Sequence, residues 1–337
     1  MSFLGLDIGG ANLKIADGLG YAASEFFPLW QQPQDLASAL AELIATAPEA
    51  EQLVVTMTGE LADCFTTKAE GVDAILNAAA EIAGGRPVGV YLCNGRIVEL
   101  ETARAEVLLA SASNWHVLAT FASRYCTTDS GLLLDIGSTT VDIIPLGPTG
   151  PQTSGLTDPD RLQSGELVYT GVERSPLCAV MRELSWRGEP CAVAQELFAT
   201  TGDAYLILGE LPEDADDTNT ADGRSRTKIN AQGRLARTIC ADSTMFTQED
   251  AQRSAEMVRA AQLEQIRNAA QRVINRMPIP PRDIVLSGHG EFLARELIAG
   301  MGLDCRLVSL SQQLGAEISR CGCAHALAVL AREKACA

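Results

Sequence analysis

Basic residues are in short supply in this chain. Lys and Arg number 26 against 43 Asp and Glu, for a formal net charge of -17 and a pI of about 4.6. That excess excludes a broad cationic face of the kind that binds nucleic acid or an anionic membrane. A local basic pocket for a phosphorylated ligand is compatible with it. No apolar run approaches the roughly 18–20 residues of a membrane span, so no span is expected. The N-terminus enters a strand-like pattern at once, without a basic region followed by a long apolar core and a cleavage site, and a cytoplasmic protein is expected. Cysteine itself is not scarce, with 10 residues, but paired metal-type spacings are missing. Cys321-Gly322-Cys323 stands alone, so zinc is not indicated and the thiols read as reduced. A helix-turn-helix signal is also missing, which leaves nothing to favour a regulator.

What the chain does have is apolar sequence in quantity: 47% hydrophobic over 337 residues, enough for two cores. "FLGLDIGGANLKIADG" (Phe3 to Gly18) reads as a strand, a glycine turn and a return strand. "QDLASALAELIATA" has helical spacing of Leu36, Leu40 and Leu43; "LVVTM" (Leu53 to Met57) reads as a short buried strand. Residues 66–83 read as a helix stopped by Gly84-Gly85, "VGVYL" as a strand, and the stretch from Asn114 as a helix. At Gly131 the opening pattern restarts, as "GLLLDIGSTTVDIIPL". Residues 147–165 are rich in Pro, Gly, Thr and Ser and read as loop. Thr247 to Asp250 fits a capping box opening a long helix, which Pro278, Pro280 and Pro281 stop near Met277. "DIVLSGHGEFLARELI" reads as strand, glycine turn and helix; "CRLVSL" is a last strand and "AHALAVLAREKA" a closing helix. Hairpins followed by alternating helices and strands imply an α/β architecture. The restart implies two domains of like design, at 1–130 and 131–337, with an insertion around 150–245 and a closing helix that returns to the first domain.

The two turns carry a common chemistry. Glycine after a strand lets backbone N–H groups approach a phosphate, because no Cβ intervenes, and successive N–H groups form an anion nest. An aspartate at the strand end is repelled by phosphate directly but can hold Mg²⁺ or its waters. Two such elements, ending at Asp7 and Asp135, would clamp one polyphosphate from both sides of a cleft. "LSGHGEF" adds a third turn that opens a helix, whose N-terminal dipole suits anions.

This order of hairpin, hairpin and strand–GxG–helix resembles the sugar kinase, Hsp70 and actin superfamily of two ribonuclease-H-like domains with an interdomain cleft. By resemblance, Asp7, Gly9 and Gly10 form the first phosphate motif, Asp135, Gly137, Ser138 and Thr139 the second, and Gly288 and Gly290, in "SGHG", the adenosine motif. Asn12 stands where nucleotide-binding members commonly have Thr or Ser, which moves the expected ligand from ATP towards a substrate's own diphosphate. "DIGSTTVDI" is similar to the nucleotide-site segment of the hydantoinase A/oxoprolinase group. "DIGGANLK", "TMTGELADCF", "ELVYTGVERSP", "TGDAYLILGELPED" and "TADGRSRTK" together resemble the tetrahydromethanopterin-linked one-carbon transfer pathway proteins, whose archaeal relatives are methanofuran-pathway synthases. The resemblance spans residues 3–330. It implies a transferase: an aminomethylfuran carrying a methylene diphosphate condenses with a tyramine-type phenol, and diphosphate leaves. Its implied cofactor is Mg²⁺, with ATP as an alternative ligand, and its partners are the phosphorylated furan and the phenolic acceptor. Other readings are an ATP-dependent kinase, a hydantoinase/oxoprolinase-type amidohydrolase, or a nucleotide-binding scaffold without turnover.

The candidate residues follow. Asp7 and Asp135 are the metal-linked pair. Lys14, on the first return strand, reads either as a phosphate ligand or as a solvent-facing strand residue. Glu60 and Asp63 follow a buried strand, at the sheet edge where α/β proteins bind ligands, and either could take the phenol's proton; Asp63 reads equally as a helix N-cap. Asp142 could orient the second turn. His116 reads as a core histidine, His289 as a ligand contact or a loop residue, and Asn94-Gly95-Arg96 as a turn. The acids from Glu210 to Asp222 and the bases Arg224, Arg226, Lys228, Arg234 and Arg237 read either as a solvated surface or as a lid over a charged ligand.

Overall fold

The computed structural model describes residues 1–336. All six residues of β1 (Phe3–Ile8) are buried, as an apolar run covered on both faces should be. Gly9 breaks the run, and the chain returns antiparallel as β2 (Asn12–Ala16) and β3 (Ala22–Phe26). β4 (Gln52–Met57) then pairs parallel to β1, β5 (Val88–Tyr91) parallel to β4, and β6 (Ile97–Glu99) antiparallel to β5. The sheet order is β3-β2-β1-β4-β5-β6.

The second sheet repeats this plan. β7 (Gly131–Ile136) returns antiparallel as β8 (Val141–Gly147), which is flanked by β9 (Gly150–Pro151) and β10 (Leu167–Val168). A further hairpin, β11 (Glu183–Trp186) with β12 (Glu189–Ala192), stands apart. β13 (Asp283–Ser287) and β14 (Arg306–Ser309) add parallel on the other side of β7, giving β10-β8-β7-β13-β14. Three antiparallel strands followed by parallel ones, twice over, define two ribonuclease-H-like domains of the actin/Hsp70 kind.

Helices cover the sheets where the apolar spacing requires it. Leu36, Leu40 and Leu43 bury one face of the helix Leu36–Ala45, and Thr67 caps the helix Lys68–Glu81 by accepting from the Glu70 N–H. The long helix Gln248–Ile274 opens with the expected box of Thr247 and Asp250 and buries Ile266 and Val273 against the second sheet. Each fully buried aliphatic side chain of this kind stabilises by about 1.5–3 kcal/mol. The closing helix Gly322–Cys336 lies on β1 and β4, buried through Ala324, Leu327 and Ala328. It sits so close that a Cβ on Gly5 would fall 2.1 Å from the Ala324 carbonyl oxygen.

Residues 147–165 are not simply loop. They contain β9 and the helix Asp158–Ser164, capped by Thr157 and ended by Gly165 in the left-handed region. The residues that suggested a loop are the same ones that start and stop short helices. β3 and the β11–β12 hairpin are also additions, and the basic run from Lys228 folds as the helix Lys228–Arg237.

Candidate active site

The two glycine turns are closed by the same bond: Gly9 N–H donates to the Asn12 carbonyl at 3.0 Å, and Gly137 N–H to that of Thr140 at 2.9 Å. In each hairpin the aspartate at the end of the first strand faces a partner on the return strand, Asp7 opposite Lys14 and Asp135 opposite Asp142. The third element meets the second. Gly290 N–H donates to the Ile136 carbonyl at 2.8 Å. Gly288 has φ of +85°, and a Cβ there would fall 2.2 Å from the same carbonyl oxygen, so only glycine fits.

These elements line a cleft of about 650 Å³ that presents Asn12, Lys14, Asp135, Gly137, Ser138 and Gly288, together with Glu173, Arg226, His289 and Cys323. Asp7 lies just beneath, 5% exposed, and its Oδ1 has no hydrogen-bond partner. Burial raises its pKa against the pull of Lys14. Burial and then the charge of Asp142 push Asp135 up to about 6, against the Ser287 hydrogen bond and the charges of Lys14 and His289. Burial alone would lower the Lys14 pKa; Asp7, the thiols of Cys323 and Cys321, and Asp135 outweigh it and raise it above the ordinary value. Lys14 and Asp135 thus share the cleft lining, with Asp7 across the strand from Lys14.

Glu173 joins the second turn to the third. Its N–H donates to the Ser138 carbonyl at 3.1 Å. Its Oε1 lies 2.9 Å from His289 Nδ1, and its Oε2 lies 3.4 Å from Arg226, which also pairs with Asp217 at 2.9 Å. Burial would raise Glu173, but the hydrogen bond and charge of His289, followed by Arg226, hold it below the usual carboxylate range.

Other candidates lie elsewhere. Glu60 is 1% exposed and is not among the residues lining the cleft; it pairs with Lys68 at 3.3 Å, and Lys68 reaches Asp158 at 3.6 Å. Arg161 continues that chain, to Asp158 at 3.4 Å and to Asp142, with its guanidinium 4.0 Å above the Trp115 ring. A charged relay therefore runs from the first sheet's edge to the back of the second hairpin. Asp63 is exposed and caps no helix; Thr67 does that. Gly10 gives its carbonyl to Leu29 N–H, and Thr139 faces a separate recess beside Tyr169 and Ser175. His116 is a core histidine, bonded to the Tyr91 hydroxyl at 2.9 Å, and burial with Arg161 and Lys334 depresses it to about 4. Asn94-Gly95-Arg96 is a turn between β5 and β6. The acidic and basic runs largely neutralise each other: Asp222 pairs with Arg224, Arg234 and Arg237. One edge of the acidic run, from Asp217 to Ala221, reaches the cleft. Sequence reasoning assigned no role to Glu173, Asp158 or Arg161. Glu173 sits inside the quoted "ELVYTGVERSP", which was the available signal.

The duplicated fold and the shared cleft define a two-domain α/β protein with an actin/Hsp70-like fold. Residues 51–332 match the hydantoinase/oxoprolinase family. Over 334 residues the chain is 32% identical to the (4-{4-[2-(gamma-L-glutamylamino)ethyl]phenoxymethyl}furan-2-yl)methanamine synthase of Methanocaldococcus jannaschii, covering 98% of each. A synthase of the same name from Methanococcus vannielii is 27% identical over 190 residues, 56% of this chain and 84% of that one. The chain therefore belongs to the hydantoinase/oxoprolinase family, in the branch of these synthases. Among solved structures it aligns over the full length of component A of the (R)-2-hydroxyglutaryl-CoA dehydratase of Acidaminococcus fermentans, at 14% identity and a TM-score of 0.48. It also aligns with 99% of a ROK hexokinase from Thermus thermophilus, over 98% of this chain, at 17% identity and a TM-score of 0.44.

Proposed function

We propose that this chain is a transferase of methanofuran-type cofactor biosynthesis, serving tetrahydromethanopterin-linked one-carbon metabolism. It condenses an aminomethylfuran methylene diphosphate with a tyramine-type phenol and releases diphosphate. The observation that carries this reading is Lys14, across the strand from Asp7, lining a two-turn cleft with Asp135, in a chain that matches a synthase over 98% of its length.

The diphosphate lies across the two turns. The hairpin-closing bonds use the N–H groups of Gly9 and Gly137, and Asn12, Gly137 and Ser138 line the cleft on its two sides. Lys14 neutralises the charge that develops on the leaving diphosphate, an interaction that strengthens as the bond breaks. Asp7 and Asp135 suit Mg²⁺. One carboxylate oxygen is buried without a partner, and two carboxylates plus substrate phosphates are the usual ligands of an ion that keeps several waters. When bound, Mg²⁺ would neutralise phosphate oxygens at the leaving group.

The domains divide at 1–130 and 131–337, with an insertion around 150–245 and the closing helix packing back on the first; its contacts with β1 and β4 support this. Among the described residues no helix is long and apolar enough to cross a membrane. Unpaired cysteines throughout the described chain support a reducing, cytoplasmic setting. Purified protein is tested with the furan diphosphate, tyramine and Mg²⁺, with diphosphate as the readout. Release that requires both organic substrates is expected; sustained ADP formation from Mg-ATP in their absence would establish the kinase or amidohydrolase reading instead.

A further inference from the structure

We infer that His289 is the general base that takes the acceptor's hydroxyl proton, and that Glu173 is its positioning residue. The inference rests on the condensation proposed above. His289 lines the cleft beside Asp135 and Ser138, whereas Glu60 and Asp63 do not. Its Nδ1 lies 2.9 Å from Glu173 Oε1. A carboxylate only accepts, so Nδ1 carries the hydrogen and Nε2 of the neutral ring carries the lone pair.

Both partners are fixed by backbone. Gly288, in the left-handed region, and Gly290, bonded to Ile136, hold the loop on either side of His289. Glu173 donates its N–H to Ser138 and accepts at its carbonyl from Gly202 N–H at 3.1 Å, while Arg226 holds its second carboxylate oxygen. Both side chains line the cleft, and the imidazole, 33% exposed against 18% for the carboxylate, is the more open of the two. A histidine with one nitrogen anchored to a carboxylate and the other open is the arrangement that proton abstraction requires.

In the step, the phenolic O–H proton passes to Nε2. The phenol oxygen's electron pair forms the bond to the furan's methylene carbon. The bond from that carbon to the diphosphate oxygen breaks, and its electron pair departs on diphosphate. His289 then returns the proton to solvent.

The test uses full-length wild type, His289→Gln and Glu173→Gln with tyramine acceptors whose phenols are made progressively more acidic by ring fluorination. With tyramine itself, kcat of His289→Gln should fall by about 10²–10⁴-fold, with KM for the furan diphosphate little changed. The deficit should shrink steadily as the phenol becomes more acidic, because an acidic phenol needs less help. A deficit of constant size across the series, or turnover near wild type, overturns the assignment. Wild type that releases no diphosphate with any acceptor overturns the condensation along with it. Independently of activity, ¹⁵N NMR of the wild-type imidazole should show hydrogen on Nδ1 of the neutral ring. Hydrogen on Nε2 would overturn the base role.

Discussion

The first and second hairpins use one backbone device with opposite side-chain logic. Both deliver an aspartate from a buried strand and close through a glycine N–H at nearly the same distance, 3.0 and 2.9 Å. Across the strand, however, Asp7 meets Lys14 and Asp135 meets Asp142. The first turn therefore brings a cation to the cleft. The second brings Asp135, whose cross-strand neighbour Asp142 is held by buried Arg161. Arg161, Asp158 and Lys68 carry that compensation back to Glu60 beside the first sheet. Duplication supplies the scaffold, and divergence at one cross-strand position gives the cleft a polarity.

The sharpest way to break that polarity is at Lys14. Lys14→Met should lower kcat/KM for the furan diphosphate by about 10²–10³-fold, the usual cost of one transition-state donor; Lys14→Asp, which copies the second hairpin's pattern, should do worse. Steady-state diphosphate release checks both. Asp7→Asn and Asp135→Asn should each abolish turnover while circular dichroism stays unchanged, and near wild-type turnover in either would refute the metal-pair assignment.

Next in size is the arginine behind the second hairpin. Arg161→Met strands Asp142 in the interior and should cost about 3–5 kcal/mol in urea unfolding, whereas Arg161→Met/Asp142→Asn should recover much of it. If the double variant is no better than the single one, Arg161 matters for packing on Trp115 and not for charge. Lys68→Met strands buried Glu60 and should cost about 3 kcal/mol, at the lower end of that range because Lys68 and Asp158 are partly solvated.

The comparison also has a pH dependence. His116 stacks edge-on against Trp115, beneath Arg161, and burial first and then Arg161 lower it to about 4. The unfolded chain, with an ordinary histidine near 6.5, binds the proton more readily. The stability from neutral His116 is therefore full above pH 6.5 and is lost as pH falls towards 4. Thermal melts should lose that slope in His116→Phe, and an unchanged slope would place its origin elsewhere.

The strands and turns were legible because their signal is local: an apolar run, an aspartate and a glycine recur twice within a few residues. So were the capping box at Thr247 and the stop after Met277. The family resemblance carried the ligand class, which periodicity could not. What escaped lies in tertiary contact. Arg161 and Asp158 sit in a segment whose Pro, Gly and Ser content reads as loop, and their partners are residues distant in sequence. Glu173 and His289 are more than a hundred positions apart, brought together only by β13 pairing beside β7. Glu60 follows a buried strand, which made it a candidate base; its pairing with Lys68, away from the cleft lining, could not be read from the sequence. The acidic and basic runs face each other, a pairing that composition alone leaves open.

The most direct test of the clamp is calorimetric. Wild type and Lys14→Met are titrated in Mg²⁺ with inorganic diphosphate and, separately, with ATP. Diphosphate should bind wild type more tightly than ATP and weaken at least about tenfold, or ~1.4 kcal/mol, in Lys14→Met. Equal or tighter ATP binding, with Lys14→Met indifferent to diphosphate, would contradict a cleft built around a substrate's diphosphate.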